Sequence, residues 1–305
     1  MLIRVNIFNT SSNLPLFAGI ANGCFAKRDL VIEVQNTPNS DAQRAGLAQG
    51  KFDIAHAAVD NAVAMVEAAG HDVAIVCGGD AGMNDFMVRA EINSMDDLRG
   101  KLLAVDAPGT AYALAAKKIL KLHGLLENRD YTVKLAGGTG PRAAAMVADP
   151  QLAAAMINPP FSFTVQGQGL KSLGTQFDLL GPYQATGAFV MRPWAAANAD
   201  ALVRYLAAYI EGQRHVMNPV NRAAMIKLLI DAFKLAPAAA QGTYEALVKP
   251  GSGLAPVAAF SSEGFAHVLA IRAEMEGMGG GIAPAADKYL DLSYYRQALC
   301  VTGQP

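Results

Sequence analysis

Residues 31–61 read VIEVQNTPNSDAQRAGLAQGKFDIAHAAVDN, and residues 131–161 read YTVKLAGGTGPRAAAMVADPQLAAAMINPPF. Both stretches follow one script. In the first, the apolar alternation Val31, Ile32, Val34 predicts a strand and Asn36-Thr37-Pro38-Asn39-Ser40 a polar turn. A short helix then runs to Gly50, Asp53-Ile54-Ala55 forms a small-residue strand, and a polar loop begins at His56. In the second, Tyr131 to Leu135 is the strand, Gly137-Gly138-Thr139-Gly140-Pro141 the turn, and a helix passes through Met146. Ala153 to Ile157 is the next strand, and Asn158-Pro159-Pro160-Phe161 closes the unit. An offset of about 100 residues is too long for a solenoid and suits two similar lobes. In open α/β sheets ligands sit outside the carboxyl ends of the strands, where these polar loops fall, so two facing lobes make a cleft.

Composition supports two well-buried bodies. A chain of 305 residues exceeds what one core comfortably fills, and 52% hydrophobic against 17% charged residues argues for a globular protein rather than disorder. Lys and Arg number 25 against 26 Asp and Glu, so no long-range field recruits nucleic acid or an anionic membrane surface. A charged ligand must be held by local groups. Cys24, Cys77 and Cys300 are widely spaced with no C-x-x-C and no His-rich partner, which signals neither a disulfide framework nor a zinc site. No apolar run reaches the ~18 residues of a membrane span, so no membrane insertion is expected. The chain enters a strand pattern (Leu2, Ile3, Val5, Ile7) without an export leader. The expectation is a periplasmic protein if a leader was trimmed and a cytoplasmic one otherwise.

The remaining pattern completes an α/β chain. Leu2 to Phe8 is predicted as the first strand, followed by Asn9-Thr10-Ser11-Ser12 and a helix from Leu14 to Ala26. A helix over Asn61 to Ala69, a strand over Val73 to Cys77 and the break Gly78-Gly79-Asp80 follow the first unit. Leu102 to Val105, the loop Asp106 to Thr110 and an amphipathic helix Ala111 to Leu122 precede the second. From Trp194 the pattern is nearly all helical. Phe86 to Arg89 and Phe189 to Met191 read as connecting strands. With no low-complexity linker elsewhere, the hinge candidates are Phe86 to Arg89 and Gly187 to Met191. The expected division is residues 1–87 plus 190–305 as one lobe and 88–189 as the other.

Four motifs carry a family resemblance: Gly23-Cys24-Phe25-Ala26-Lys27-Arg28-Asp29-Leu30; Gly50-Lys51-Phe52-Asp53-Ile54-Ala55; Asp97-Leu98-Arg99-Gly100-Lys101 leading to Ala104-Val105; and Asn158-Pro159-Pro160-Phe161. In that order and spacing the chain resembles the type II periplasmic binding proteins, in the branch serving nitrate, sulfonate, taurine and thiamine-pyrimidine ABC importers. Cys24 departs from the aromatic usual there, and the leader is absent. The resemblance implies a two-lobed α/β fold. Each lobe is a mixed sheet flanked by helices, and the two crossing strands act as hinge. It also implies a small-molecule ligand and an ABC permease as partner.

Loops after strands supply the candidate ligand contacts. The first lobe offers Asn9, Thr10, Ser11, Thr37, Asn39, His56, Asp60, Asn61 and Asp80. The second offers Thr110, Tyr112, Thr139, Arg142, Asn158 and Phe161, with Tyr183 near the return crossing. Hydroxyls, amides and aromatics dominate, which suits a small polar molecule held by hydrogen bonds and a stacking face. Gly109-Thr110 and Gly138-Thr139-Gly140 precede helices and present N–H groups to an anionic oxygen, or serve as plain tight turns. Arg142 either pairs with a carboxylate or sulfonate or stands as a surface arginine. His56 and Asp60 form the sharpest pair, an imidazole that a carboxylate could orient for acid or base work. Asp80 binds an ammonium or caps a turn.

The leading expectation is a solute-binding protein of an ABC importer that captures a small organic anion, zwitterion or N-heteroaromatic between its lobes. The alternative is a cytoplasmic enzyme on the same fold, a cofactor-free lyase, decarboxylase or hydrolase using His56 and Asp60. Pyrimidine synthases resemble the chain around Asp53 to Ala62. They carry a cofactor-linking lysine where Ala57 stands and a histidine where Asn61 stands, so no pyridoxal phosphate, nor any other cofactor or metal, is expected.

Overall fold

The alternation that opens the chain folds as β1 (Leu2–Ile7), followed by α1 (Leu14–Ala21); the first repeat then supplies β2 (Val31–Asn36), α2 (Ser40–Ala48) and β3 (Ile54–Ala58), and α3 (Asp60–Ala69) and β4 (Val73–Gly78) follow it. A computed structural model describes residues 1–303. The chain continues through β5 (Asp85–Val88), β6 (Leu102–Val105), α4 (Ala111–Leu122), β7 (Thr132–Leu135), α5 (Thr139–Ala148), β8 (Leu152–Ile157) and α6 (Phe161–Gln166). It then forms β9 (Lys171–Thr175), α7 (Gln176–Leu180) and β10 (Thr186–Met191). Six helices complete it: α8 (Arg192–Ala197), α9 (Ala199–Met217), α10 (Arg222–Phe233), α11 (Pro237–Val248), α12 (Ser262–Glu276) and α13 (Ser293–Val301). The first helix stops at Ala21 rather than Ala26 because the chain turns at Gly23, whose φ of 68° favours a residue without a side chain. Neither β9 nor α7 was expected from the sequence, since Lys171-Ser172-Leu173-Gly174-Thr175 has little apolar alternation.

The duplicated script becomes duplicated topology. One sheet has the order β2-β1-β3-β10-β4 and the other β7-β6-β8-β5-β9. In each, four strands share one direction and one interior strand runs against them: β10 pairs antiparallel with β3 and β4, and β5 with β8 and β9. Both expected hinge segments are therefore interior strands, hydrogen-bonded on two sides, and cannot absorb a large dihedral change without losing a ladder. The crossings lie just before them. They run side by side, with the Asp80 carbonyl accepting from the Ala185 amide (3.0 Å) and the Gly82 carbonyl from the Phe177 amide (3.1 Å). Gly82 (φ 102°) and Gly181 (φ 79°) occupy backbone conformations there that side chains seldom adopt.

Each sheet is covered on both faces. Ile3, Val5 and Ile7 pack on Leu202, Tyr205 and Leu206 of α9, while the opposite face buries Phe189 and Val63 against Phe265 and Leu269 of α12. In the second sheet Phe86, Val88 and Met156 meet Ile119 and Leu120 of α4, and Met87, Ala155 and Ile157 meet Met146 of α5. Removing each such side chain from water contributes about 1.5–3 kcal/mol, which makes each half a body with its own core. α1 and α9 approach closely because position 212 is glycine: a Cβ there would lie 2.2 Å from the Pro15 carbonyl oxygen.

Candidate functional site

The carboxyl ends of the parallel strands of both sheets converge on one cavity of about 280 Å³. Phe8, Asn9 and Thr10 follow β1, Thr37 and Pro38 follow β2, and His56 to Ala58 end β3. Facing them, Asp106 follows β6, Gly138 to Pro141 follow β7, and Phe161 follows β8. Thr110, Ala111 and Tyr112 from the start of α4, Thr186 and Gly187 from β10, and Tyr209 from α9 complete much of the wall. A short antiparallel β10 beside β3 requires Gly187, since a Cβ there would come within 2.5 Å of the Cys77 carbonyl oxygen.

Nine of the expected contacts line this cavity: Asn9, Thr10, Thr37, His56, Asn61, Thr110, Tyr112, Thr139 and Phe161. Seven stand elsewhere, each for a visible reason. Ser11 is buried and donates its hydroxyl to the Pro159 carbonyl at 2.8 Å, tying the two halves together. Asn39 caps α2, its Oδ1 accepting from the Ala42 amide at 2.8 Å. Asp80 is buried and accepts from the Thr186 hydroxyl at 2.5 Å and the Gly82 amide at 3.1 Å, so it fixes Thr186, which does reach the wall. Burial pushes the Asp80 carboxyl up from its usual range. Asn158 is buried with its Oδ1 unpartnered among the described residues, and Tyr183 belongs to the hydrophobic core.

Arg142 is the largest correction. Neither a ligand cation nor a surface arginine, it is 1% exposed and donates Nε and Nη2 to the Met156 carbonyl (3.1 and 2.9 Å) and Nη1 to the Gly137 carbonyl (2.8 Å). It fastens the turn before α5 to β8. The His56–Asp60 pair is the other. His56 Nε2 lies 2.8 Å from the Tyr205 hydroxyl, with the Tyr209 ring 4.8 Å away between centroids, and burial pushes its pKa down to about 3. A neutral imidazole results. Asp60 instead forms a buried ion pair with Arg272 of α12 (2.5 Å), whose Nη2 also meets Glu276 at 2.6 Å. Among the described residues no carboxylate meets His56, so the His56–Asp60 pair expected from the sequence does not form.

The wall residues missed from sequence are chiefly Phe8, Asp106 and Tyr209. Phe8 and Asp106 directly follow strands, a signal that was available; Tyr209 sits mid-helix, where only its 3.6-residue periodicity with Tyr205 shows, and that reads as core. Charge in the wall is sparse. Among the described residues lining it, no Lys or Arg occurs and Asp106 is the one carboxylate. No cluster of three or more His, Cys, Asp or Glu stands together among the described residues.

The sequence profile of the NMT1-like family matches residues 3–230. A protein of Bordetella bronchiseptica RB50 superposes with a TM-score of 0.81 at 17% identity, covering 99% of this chain and 98% of that one. The periplasmic nitrate-binding protein NrtA of Synechocystis PCC 6803 superposes equally well, 0.81 at 14% identity, covering 100% and 89%. The alkanesulfonate-binding protein SsuA of Xanthomonas axonopodis pv. citri, bound to MOPS, gives 0.72 at 20% identity over 95% and 96%. At these identities the likeness establishes the periplasmic-binding-protein fold expected from the sequence. No curated protein matches the sequence.

Proposed function

The chain belongs to the NMT1-like family, and from that premise we propose that it is the solute-binding protein of an ABC-type importer, taking one small organic molecule into the cavity between its two sheets. One observation carries the reading: a single cavity is walled by the carboxyl ends of parallel strands from both halves of a duplicated fold. The lobes proposed here follow the sheets, so their boundaries fall at the two crossings, a few residues before β5 and β10.

Capture follows from this layout. Opening at the paired crossings would admit the solute, and contacts made only in the closed form would draw the halves together, since a ligand shifts an equilibrium by its differential affinity. Lys118 and Lys121 of α4 already meet Glu274 of α12 at 2.7 and 2.9 Å, linking one half to the other. A permease and a periplasmic location are the partner and place this reading assigns. The solute-binding neighbours support it, and among the described residues no helix is long and apolar enough to cross a membrane.

A thermal-shift panel of small polar organic molecules tests the proposal. A true ligand at 100 times its Kd adds about 2.7 kcal/mol of stability, a shift of roughly 5 °C or more in a protein of this size. Asn9→Ala with Thr10→Ala, both in the cavity wall and outside the core, strongly weakens that shift while leaving the unliganded melting temperature nearly in place. Absence of any stabilising solute, or stabilisation indifferent to cavity substitutions, counts against the reading.

A further inference from the structure

We infer that the solute carries a positively charged nitrogen, and that Asp106 is the wall group that receives it. The inference rests on the solute-binding reading and narrows it. Of the side chains lining the cavity, Asp106 alone bears a full charge: no Lys or Arg stands there among the described residues. Its Oδ1 accepts from the Thr110 hydroxyl and lies 3.9 Å from Arg142, while Oδ2 has no hydrogen-bond partner among the described residues. The carboxylate is 22% exposed, open to the cavity that it borders.

Arg142, the cation 3.9 Å from Asp106, is not free to serve an anionic solute. Arg142 is buried, and its Nε, Nη1 and Nη2 are directed at backbone carbonyls of Met156 and Gly137. It balances part of the Asp106 charge from behind and leaves Oδ2 free. The starts of α4 and α5 also face the cavity and bring partial positive charge, about half a unit each, with N–H groups at Ala111, Gly138 and Gly140. Those donors suit an acceptor elsewhere on the same molecule. A zwitterion is therefore accommodated, whereas a lone anion would bring a second negative charge beside Asp106 with no side-chain cation to hold it. Phe8, Tyr112, Phe161 and Tyr209 also line the cavity and bring to it the aromatic rings that attract ammonium groups. Tyr209 is 2% exposed and its hydroxyl has no partner among the described residues, leaving a polar tip for the solute.

The test is a panel of primary and quaternary amines, each matched with the zwitterion, carboxylate, sulfonate and uncharged analogue of the same skeleton, together with nitrate. Thermal shift selects binders and calorimetry measures them. Stabilisation should come from the amines and zwitterions. Asp106→Asn should weaken the best of them about tenfold or more, the scale of one charge-assisted hydrogen bond, and Asp106→Glu should restore most of the loss. If Asp106→Asn fails to fold, raising ionic strength on the native protein should weaken amine binding while leaving uncharged analogues unaffected. Binding by nitrate, carboxylates or sulfonates with none by their amine partners overturns the inference and leaves the solute-binding reading standing. Silence across every charge class overturns both.

Discussion

Replacing Arg272 with Met should expose how Asp60 is used. The guanidinium meets the Asp60 carboxylate at 2.5 Å in a setting where the two side chains are 11% and 5% exposed. Truncating it leaves an ionised carboxylate buried at the start of α3, and breaking a buried pair in this way costs about 3–5 kcal/mol. The α3 dipole returns about 0.3–1 kcal/mol of that, since a negative charge in the first turn is favourable. A net loss of about 3 kcal/mol is expected, a large share of a total stability of order 5–15 kcal/mol. Urea unfolding at pH 7.5 should show it as a lowered midpoint with an unchanged slope. Lower pH should narrow the deficit as the stranded Asp60 takes up a proton, and Asp60→Asn with Arg272→Met should recover most of the loss because neither buried charge remains. Asp60→Asn alone should leave solute affinity within about twofold, as Asp60 does not line the cavity. A loss under about 1 kcal/mol in Arg272→Met, or a double variant worse than both singles, would refute the argument.

Other perturbations test other parts. His56 stays neutral in the folded protein, its pKa pushed to about 3 from an ordinary 6.5, so below pH 6.5 the unfolded chain binds the extra proton and stability falls with pH. From pH 6.5 to pH 5 that contribution is about 2 kcal/mol, and His56→Gln should flatten this part of the pH–stability curve relative to the native protein. Gly212→Ala should cost about 1–3 kcal/mol by forcing α1 off α9, read as a lower melting temperature; an unshifted melt would contradict the close approach at Pro15. Glu274→Gln removes two partly exposed ion pairs between α4 and α12, worth about 1 kcal/mol together at most after solvent screening. Solute affinity should fall by less than about fivefold while the radius of gyration of the unliganded protein rises; an unchanged radius would mean those pairs do not hold the halves together.

Much of the fold was legible because its signals are local. Alternation at Leu2 to Ile7 and the twin scripts at 31–61 and 131–161 specify strands, turns and helices through neighbours a few residues apart, and β1 to β8 and α2 to α5 fall close to expectation. What the sequence could not reveal depends on partners far along the chain. β5 and β10 read as bare connectors because nothing local shows that each is inserted between two strands distant in sequence, β8 and β9 for β5 and β3 and β4 for β10. The site divides in the same way. Hydroxyls and amides immediately after strands, such as Thr10 and Thr139, reach the wall by position alone. Charged residues went astray because their partners decide their role: Asp60 is claimed by Arg272, 212 residues away, and Arg142 by the Met156 carbonyl. Asp106 was passed over for lack of a motif, although its place directly after β6 marks it as clearly as Asn9 after β1.

Solving the crystal structure with a solute drawn from the amine and zwitterion panel tests the account most directly. The account predicts one molecule between Phe8 and Phe161, its nitrogen within hydrogen-bond reach of Asp106 Oδ2 and residues of both sheets in contact with it. A solute seated on one half only, or outside the space between the strand ends, would contradict it.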